Sequence, residues 1–207
     1  MQLFFRFSWF IVFTVSCFAV TYYSLTFLLQ NINPNNPFQM KFAIAGWVVP
    51  LHFYCAGLAL AICPFQLSKK LRNKSMTTHR IMGMLYVLCV LLGGISGFFM
   101  ALDATGGMLA KAGFASLAIL WLLFTGLALK FAMQGDVVNH QKWIYRSVAL
   151  TAGGITLRVF LGVGLGYFNL PFLTVYVPAA WLSWLLNLAI CELTVNRKHY
   201  INRPLFA

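Results

Sequence analysis

Acidic residues are almost missing from this chain: Asp103, Asp136 and Glu192 are the whole set in 207 residues. Three scattered carboxylates cannot build the oxygen cage of a hard cation or the paired acids of a hydrolase. Charged residues of every kind make up only 9% of the sequence, against about 25% in a soluble domain. No two cysteines form a CxxC pair. All five (Cys17, Cys55, Cys63, Cys89 and Cys191) fall inside apolar runs, which excludes a disulfide framework and a zinc site and leaves small apolar packing as their reading. A nucleophile elbow and a phosphate-cradling loop with its lysine are also absent, as are internal repeats and low-complexity tracts.

What is present is apolar: 61% of the residues are hydrophobic, with 20 Phe and 6 Trp. Such a composition has too little polar surface to cover a soluble core, and its aromatics suit the headgroup belts of a bilayer. A helix crosses the hydrocarbon in about 20 residues, and six stretches qualify, near 4–29, 42–66, 79–102, 110–133, 144–168 and 174–196. Turn-like segments separate them: NINPNNPFQ, SKKLRNKSMTT, DATGG, QGDVVNHQ and NLP. The sequence therefore predicts an all-α, polytopic membrane protein, one six-helix bundle over 1–207. The first stretch lacks a small-residue cleavage site and is read as a retained span.

Basic residues mark the sides. Arg6, Lys69, Lys70, Arg72, Lys74, Arg80, Lys130, Lys142, Arg146, Arg197, Lys198 and Arg203 fall on one side, and only Lys41 and Lys111 on the other. The positive-inside rule predicts cytoplasmic N- and C-termini in a bacterial inner (cytoplasmic) membrane. It also assigns the net charge of +12 to membrane lipid headgroups and not to nucleic acid.

Ionisable residues inside spans are functional candidates by default. His52 in the second span and Arg158 in the fifth each lie roughly 15 Å from the outer side at 1.5 Å per residue. The two are thus expected at matching depth on antiparallel helices. A second cluster gathers at the cytoplasmic boundary: His79 and Arg80 open the third span, and His140, Lys142, Trp143 and Arg146 open the fifth. His79, Gly83 and Tyr86 share a helix face. His140, Thr151 and Arg158 share another, and Gln66 nearly aligns with His52. Glu192 reaches Arg80 or Arg146 by depth, but not Arg158. Backbone carbonyls loosened by Gly153, Gly154, Gly162, Gly164 and Gly166, water, or an anion that the chain does not encode must then satisfy Arg158. His199, in the tail NRKHYINR, reads as a solvated residue.

The motifs LHFYCAGLALAICPFQ, THRIMGMLYV, a GG loop before GFASLAILW, and HQKWIYRSVALTAGGITLR together resemble the predicted-membrane-protein family of domain of unknown function 2306, over about residues 45–165. Cys63 stands where that pattern calls for glycine before Pro64-Phe65-Gln66. The resemblance implies the membrane fold and carries no activity. A looser likeness is to the cytochromes b that hold haem in a four-helix membrane core. It implies haem b with His79 and His140 on the iron and propionates at Arg80, Lys142 or Arg146. The fourth span has no His, so a second haem is not expected.

Three readings follow. First comes a redox protein with one haem b that exchanges electrons with a quinone near His52 and Arg158, with His moving a proton near neutral pH. The alternative is a non-enzymatic carrier or sensor that holds an amphipathic anion or lipid head group at Arg158, with Arg146 and Arg80 as a second station. The third is a structural subunit of a membrane complex. A transporter fits less well, because no pair of interrupted helices is legible. Gln66, Tyr86, Trp143 and Thr151 complete the predicted ligand-facing set.

Overall fold

The computed structural model describes residues 2–27, 29–30, 40 and 45–195, with side chains from Ser8 to Leu193 within those ranges. Lys41, Arg197, Lys198, His199 and Arg203 lie outside the described residues, as does the side chain of Arg6. The described elements are helical: α1 (Gln2–Phe27), α2 (Val48–Leu67), the short α3 (Lys69–Lys74), α4 (Met76–Leu102), α5 (Gly107–Met133), α6 (Val137–Thr151), α7 (Gly153–Leu161), a π-helical turn (Gly162–Tyr167) and α8 (Phe172–Val195). Six helical stretches are long and apolar enough to cross a membrane, the fifth running through α6, α7 and the π turn.

Large apolar side chains face outward as well as inward. Trp9, Tyr22, Ile81, Met84, Leu109 and Ile190 are all more than half exposed, as befits helices whose outer solvent is hydrocarbon. The inner contacts are tighter. α2 packs on α4, α4 on α5 and α5 on α6; α8 lies against α5, α6 and α7, and α1 leans on α2 and α7. Ala59, Ile62 and Cys63 of α2 meet Tyr86 and Val90 of α4, Trp121 of α5, Val148 and Leu150 of α6, and Trp184 of α8 in one buried core. Helix packing in lipid depends on close fit and polar glue, since burial from hydrocarbon gains little. Thr21 Oγ1 of α1, donating to Gly57 O of α2 at 2.8 Å, is such a link.

Helix starts differ from the expected ones for local reasons. Ser75 caps α4, its hydroxyl accepting from Thr78 N–H at 3.2 Å, and Asp136 caps α6, accepting from Asn139 N–H at 3.0 Å. These caps draw α4 back to Met76 and α6 back to Val137, so His140 sits inside its helix. At the opposite end α2 begins only at Val48, after Gly46 with φ +61°. His52 therefore falls just past the first turn, nearer the helix start than the expected span placed it.

The fifth span is not continuous. At Ala152 the ladder changes register: Ile155 N–H donates to Ala152 O at 2.9 Å, an i−3 bond, and Thr156 N–H donates to the same carbonyl at 3.2 Å. The π turn then closes the span. Gly153 at the break lets the helix touch α8, where an added Cβ would come within 3.3 Å of Trp184 Cβ. Nine residues carrying Arg158 are thus bounded at both ends by irregular helix.

Candidate functional site

A polar stripe runs along the inner faces of α4 and the fifth span. It has a basic end, a middle, and a far half beyond the break.

The middle is a closed hydroxyl cluster. Tyr86 Oη meets Ser147 Oγ and Thr151 Oγ1, each at 2.7 Å. Thr125 Oγ1 meets Ser147 Oγ at 2.6 Å and donates to Trp121 O at 2.7 Å. Trp121 Nε1–H donates to Thr151 Oγ1 at 2.9 Å, and Thr151 Oγ1 donates to Ser147 O at 2.9 Å. Four hydroxyls and one indole bring five hydrogens, which serve five of the six contacts at a time, and each of these polar groups has a partner within the cluster. Tyr86 is 2% exposed. Tyr86 and Thr151 here bind each other and tie α4, α5 and α6 together. Sequence reading missed Trp121, Thr125 and Ser147. The signal was there: each is a polar group four residues from another on an otherwise apolar face.

At the basic end the two caps set a matched pair. His79 lies four residues after Ser75 and His140 four after Asp136, their N–H groups closing the first turns of α4 and α6. His140 Nδ1 lies 2.9 Å from Ala128 O. A carbonyl only accepts, so Nδ1 carries the proton and the neutral ring keeps Nε2 as its lone pair. His79 lies within electrostatic reach of His140 and Arg72, and its buried Nδ1 has no partner. Gln66 Nε2 donates to His79 O at 3.1 Å, while its buried Oε1 has no partner. Gly83 makes room for that amide: a Cβ there would sit 2.9 Å from Gln66 Nε2. Arg80 is exposed. Arg146 is taken: it grips Glu192 through Nε at 2.5 Å and Nη2 at 2.9 Å and lies 4.7 Å over the Trp143 ring, which itself packs on Phe124.

In the far half, His52 donates from Nδ1 to Gly93 O at 2.8 Å, its ring seated on Gly97, where a Cβ would come within 2.8 Å of Nδ1. Arg158 is close enough for its charge to act on this ring. The structure thus brings His52 and Arg158 together despite the later start of α2. Arg158 Nη1 donates to Gly154 O at 3.2 Å, and the guanidinium stands 5.4 Å over the Tyr23 ring of α1. Its buried Nε has no partner. Tyr23 escaped the sequence reading, because α1 carried no ionisable residue inside the membrane to draw notice. Among the described residues Arg158 forms no ion pair: Glu192 is held by Arg146, Asp136 caps α6, and Asp103 closes α4.

An integral membrane protein of six spans, with a basic polar stripe and no carboxylate to neutralise its deepest cation, is the class that fold and site define. The chain belongs to the predicted membrane protein family DUF2306, whose family model matches residues 49–195, from α2 through α8. No curated protein and no solved structure matches it.

Proposed function

We propose that this protein binds the anionic head of an amphiphile at Arg158, as a carrier or sensor. One observation carries the reading: a guanidinium inside the membrane whose Nε–H is buried without an acceptor, in a chain that supplies it no carboxylate. Holding Arg at mid-membrane costs at least about 2.5–3.5 kcal/mol, a cost that a bound anion offsets. With Nη1 tied to Gly154 O, the Nε–Nη2 edge is the one that takes a carboxylate or phosphate side-on. Tyr23 covers one face of the guanidinium. His52, its Nδ1–H fixed on Gly93, offers Nε2 to hold a proton of the head group. On this reading the basic end faces the cytoplasm, as the positive-inside rule supports, and this site lies in the opposite half.

A fatty acid and a phospholipid offer the same charged oxygens, and the test separates them. Lipids extracted from purified protein are identified by mass spectrometry, and melting is then followed with each class added back. A ligand at 100 times its Kd raises stability by about 2.7 kcal/mol. That gain is expected to vanish in Arg158→Gln and to survive in His79→Ala. An unchanged gain in Arg158→Gln sinks the reading.

One observation favours the redox reading beside it. His140 presents Nε2 with Nδ1–H held by a carbonyl, the arrangement usual for a metal-ligating imidazole, and His79 lies within electrostatic reach of it on another helix. On this reading the two would hold haem b by bis-imidazole ligation, and the haem would supply one-electron chemistry. Lys142 and Arg80 are then the residues for its propionates, Arg146 being occupied, and Arg158 Nε–H the donor to a quinone carbonyl. A bare metal ion is less suited, since no group of three His, Cys, Asp or Glu assembles among the described residues. A Soret band with a sharp reduced α-band, lost in His140→Ala, is the expected result. A colourless protein from haem-replete cells removes this reading.

A further inference from the structure

The basic end carries a second signal, chemically unlike the first and independent of Arg158. We propose that Gln66, His79 and His140 form a separate ligand site that takes the un-ionised hydroxyl of an amphiphile and rejects anions.

The argument rests on which atoms lack partners. Gln66 Oε1 and His79 Nδ1 are both buried and both unpartnered. They belong to one neighbourhood, because Gln66 Nε2 donates to the His79 carbonyl at 3.1 Å. That bond fixes the amide: a flip would set Oε1 against a carbonyl oxygen, two acceptors face to face. Gln66 therefore presents an acceptor that no anion can satisfy. Carboxylate or phosphate oxygens at His79 would be repelled by it, although Arg72 stands near. What fits is a single atom that both donates and accepts. A hydroxyl donates its hydrogen to Gln66 Oε1 while its oxygen takes Nδ1–H of His79. His140, with Nδ1–H committed to Ala128 O, adds an Nε2 lone pair for a second hydroxyl donor. All three groups ask for an uncharged polyhydroxyl head. Gly83 keeps the cradle open, because a methyl there would meet Gln66 Nε2 at 2.9 Å.

Two membrane molecules carry such hydroxyls, a reduced quinone and a diacylglycerol, and each is assayed against its O-methylated form, which accepts but cannot donate. The protein is placed in nanodiscs of zwitterionic lipid. Binding is followed by melting and by amide exchange across residues 66–83, using a short-tailed ubiquinol in one arm and a short-chain diacylglycerol in the other. One hydroxyl compound is expected to bind about tenfold more tightly than its methyl ether, the worth of about one hydrogen bond at the top of its net range. That ratio is expected to collapse toward one in Gln66→Leu and in Gly83→Ala. The anion response at Arg158 persists in both variants, which shows that they are folded. Equal affinity for hydroxyl and ether in both arms, or a ratio unchanged by Gln66→Leu, overturns the proposal. So does binding of neither compound, which would leave only an ordered water on Gln66.

Discussion

Arg158 and Gln66 both hold buried polar atoms without partners, yet one is a charged donor and the other a neutral acceptor. The reason lies in what each backbone already uses. Around Arg158 the break at Ala152 and the π turn leave irregular helix, and the side chain folds back onto Gly154 O, with its buried Nε–H left unpartnered. Around Gln66 helix α2 is ending: Pro64 lies two residues before it, and the chain turns extended at Ser68. The amide is pinned by the His79 carbonyl and by the absence of a side chain at Gly83. Both stations thus sit at helix interruptions, the charged one inside a span and the neutral one where α2 ends beside the start of α4. Between them the hydroxyl cluster leaves nothing unsatisfied and separates the two.

The largest expected effect tests the charged station. Arg158→Gln is predicted to lower affinity for an anionic amphiphile by about 100-fold, the loss of a charge-assisted pair worth about 1.5–3 kcal/mol. The unliganded protein is expected to melt no lower than wild type, since an uncompensated intramembrane cation has gone. Arg158→Lys keeps the charge without the side-on edge and is expected to fall between. Dye-based melting with and without fatty acid reads both quantities.

A smaller effect separates the middle from the two stations. In Tyr86→Phe the cluster retains four hydrogens for four contacts, from Trp121, Thr125, Ser147 and Thr151, and no donor is orphaned. The expected loss is about 1 kcal/mol. Thr151→Val removes three contacts and leaves the buried Trp121 Nε1–H without an acceptor. It is expected to cost more, about 1–3 kcal/mol. The order Thr151→Val worse than Tyr86→Phe, with ligand responses intact in both, is the outcome that marks the cluster as glue; the reverse order would give Tyr86 a role beyond packing.

Glu192→Gln brings the comparison to the one paired cation. The Arg146–Glu192 side chains are 17% and 35% exposed, so screening keeps the expected loss to about 1 kcal/mol or less. The sharper readout is chemical. With its carboxylate gone, Arg146 is expected to acquire an anion response that wild type shows only at Arg158, and double substitution with Arg158→Gln isolates it.

Much of this was legible in the sequence because hydropathy is a property of runs. Six spans, the crowding of basic residues at one end, and a partner for Glu192 in either Arg80 or Arg146 follow from counting along helices; the structure selects Arg146. The approach of His52 to Arg158 was legible too, although the depth of His52 was not, because Gly46 and its neighbours delay α2. The hydroxyl cluster escaped because Ser and Thr on apolar helices commonly bond their own i−4 carbonyls, as Thr14 and Ser24 do here. Only tertiary contact shows which of them also cross to another helix. The orphaned oxygen of Gln66 depends on the direction of one amide, which no pattern of residues encodes.

The smallest effect concerns the cap that sets His140 in place. Asp136 is held below the ordinary carboxylate range by Asn139, first through its backbone N–H and then through its side-chain amide. A carboxyl whose folded pKa is depressed stabilises the fold fully above its unfolded value, about 3.9, and loses that contribution as pH falls through the folded value. Because Asp136 lies at the surface, the effect is confined to fraying at the start of α6. Amide exchange at residues 137–140 is therefore expected to be pH-insensitive, after correction for intrinsic rates, from neutrality down to about pH 5, and to accelerate below the carboxylate range. Asp136→Asn, which keeps a capping oxygen without the charge, is expected to remove the pH dependence while leaving the first turn formed. Identical acid fraying in Asp136→Asn would place the titrating group elsewhere. In that case His140 would owe its orientation to the Ala128 carbonyl alone, and the matched geometry of the two histidines would not depend on their caps.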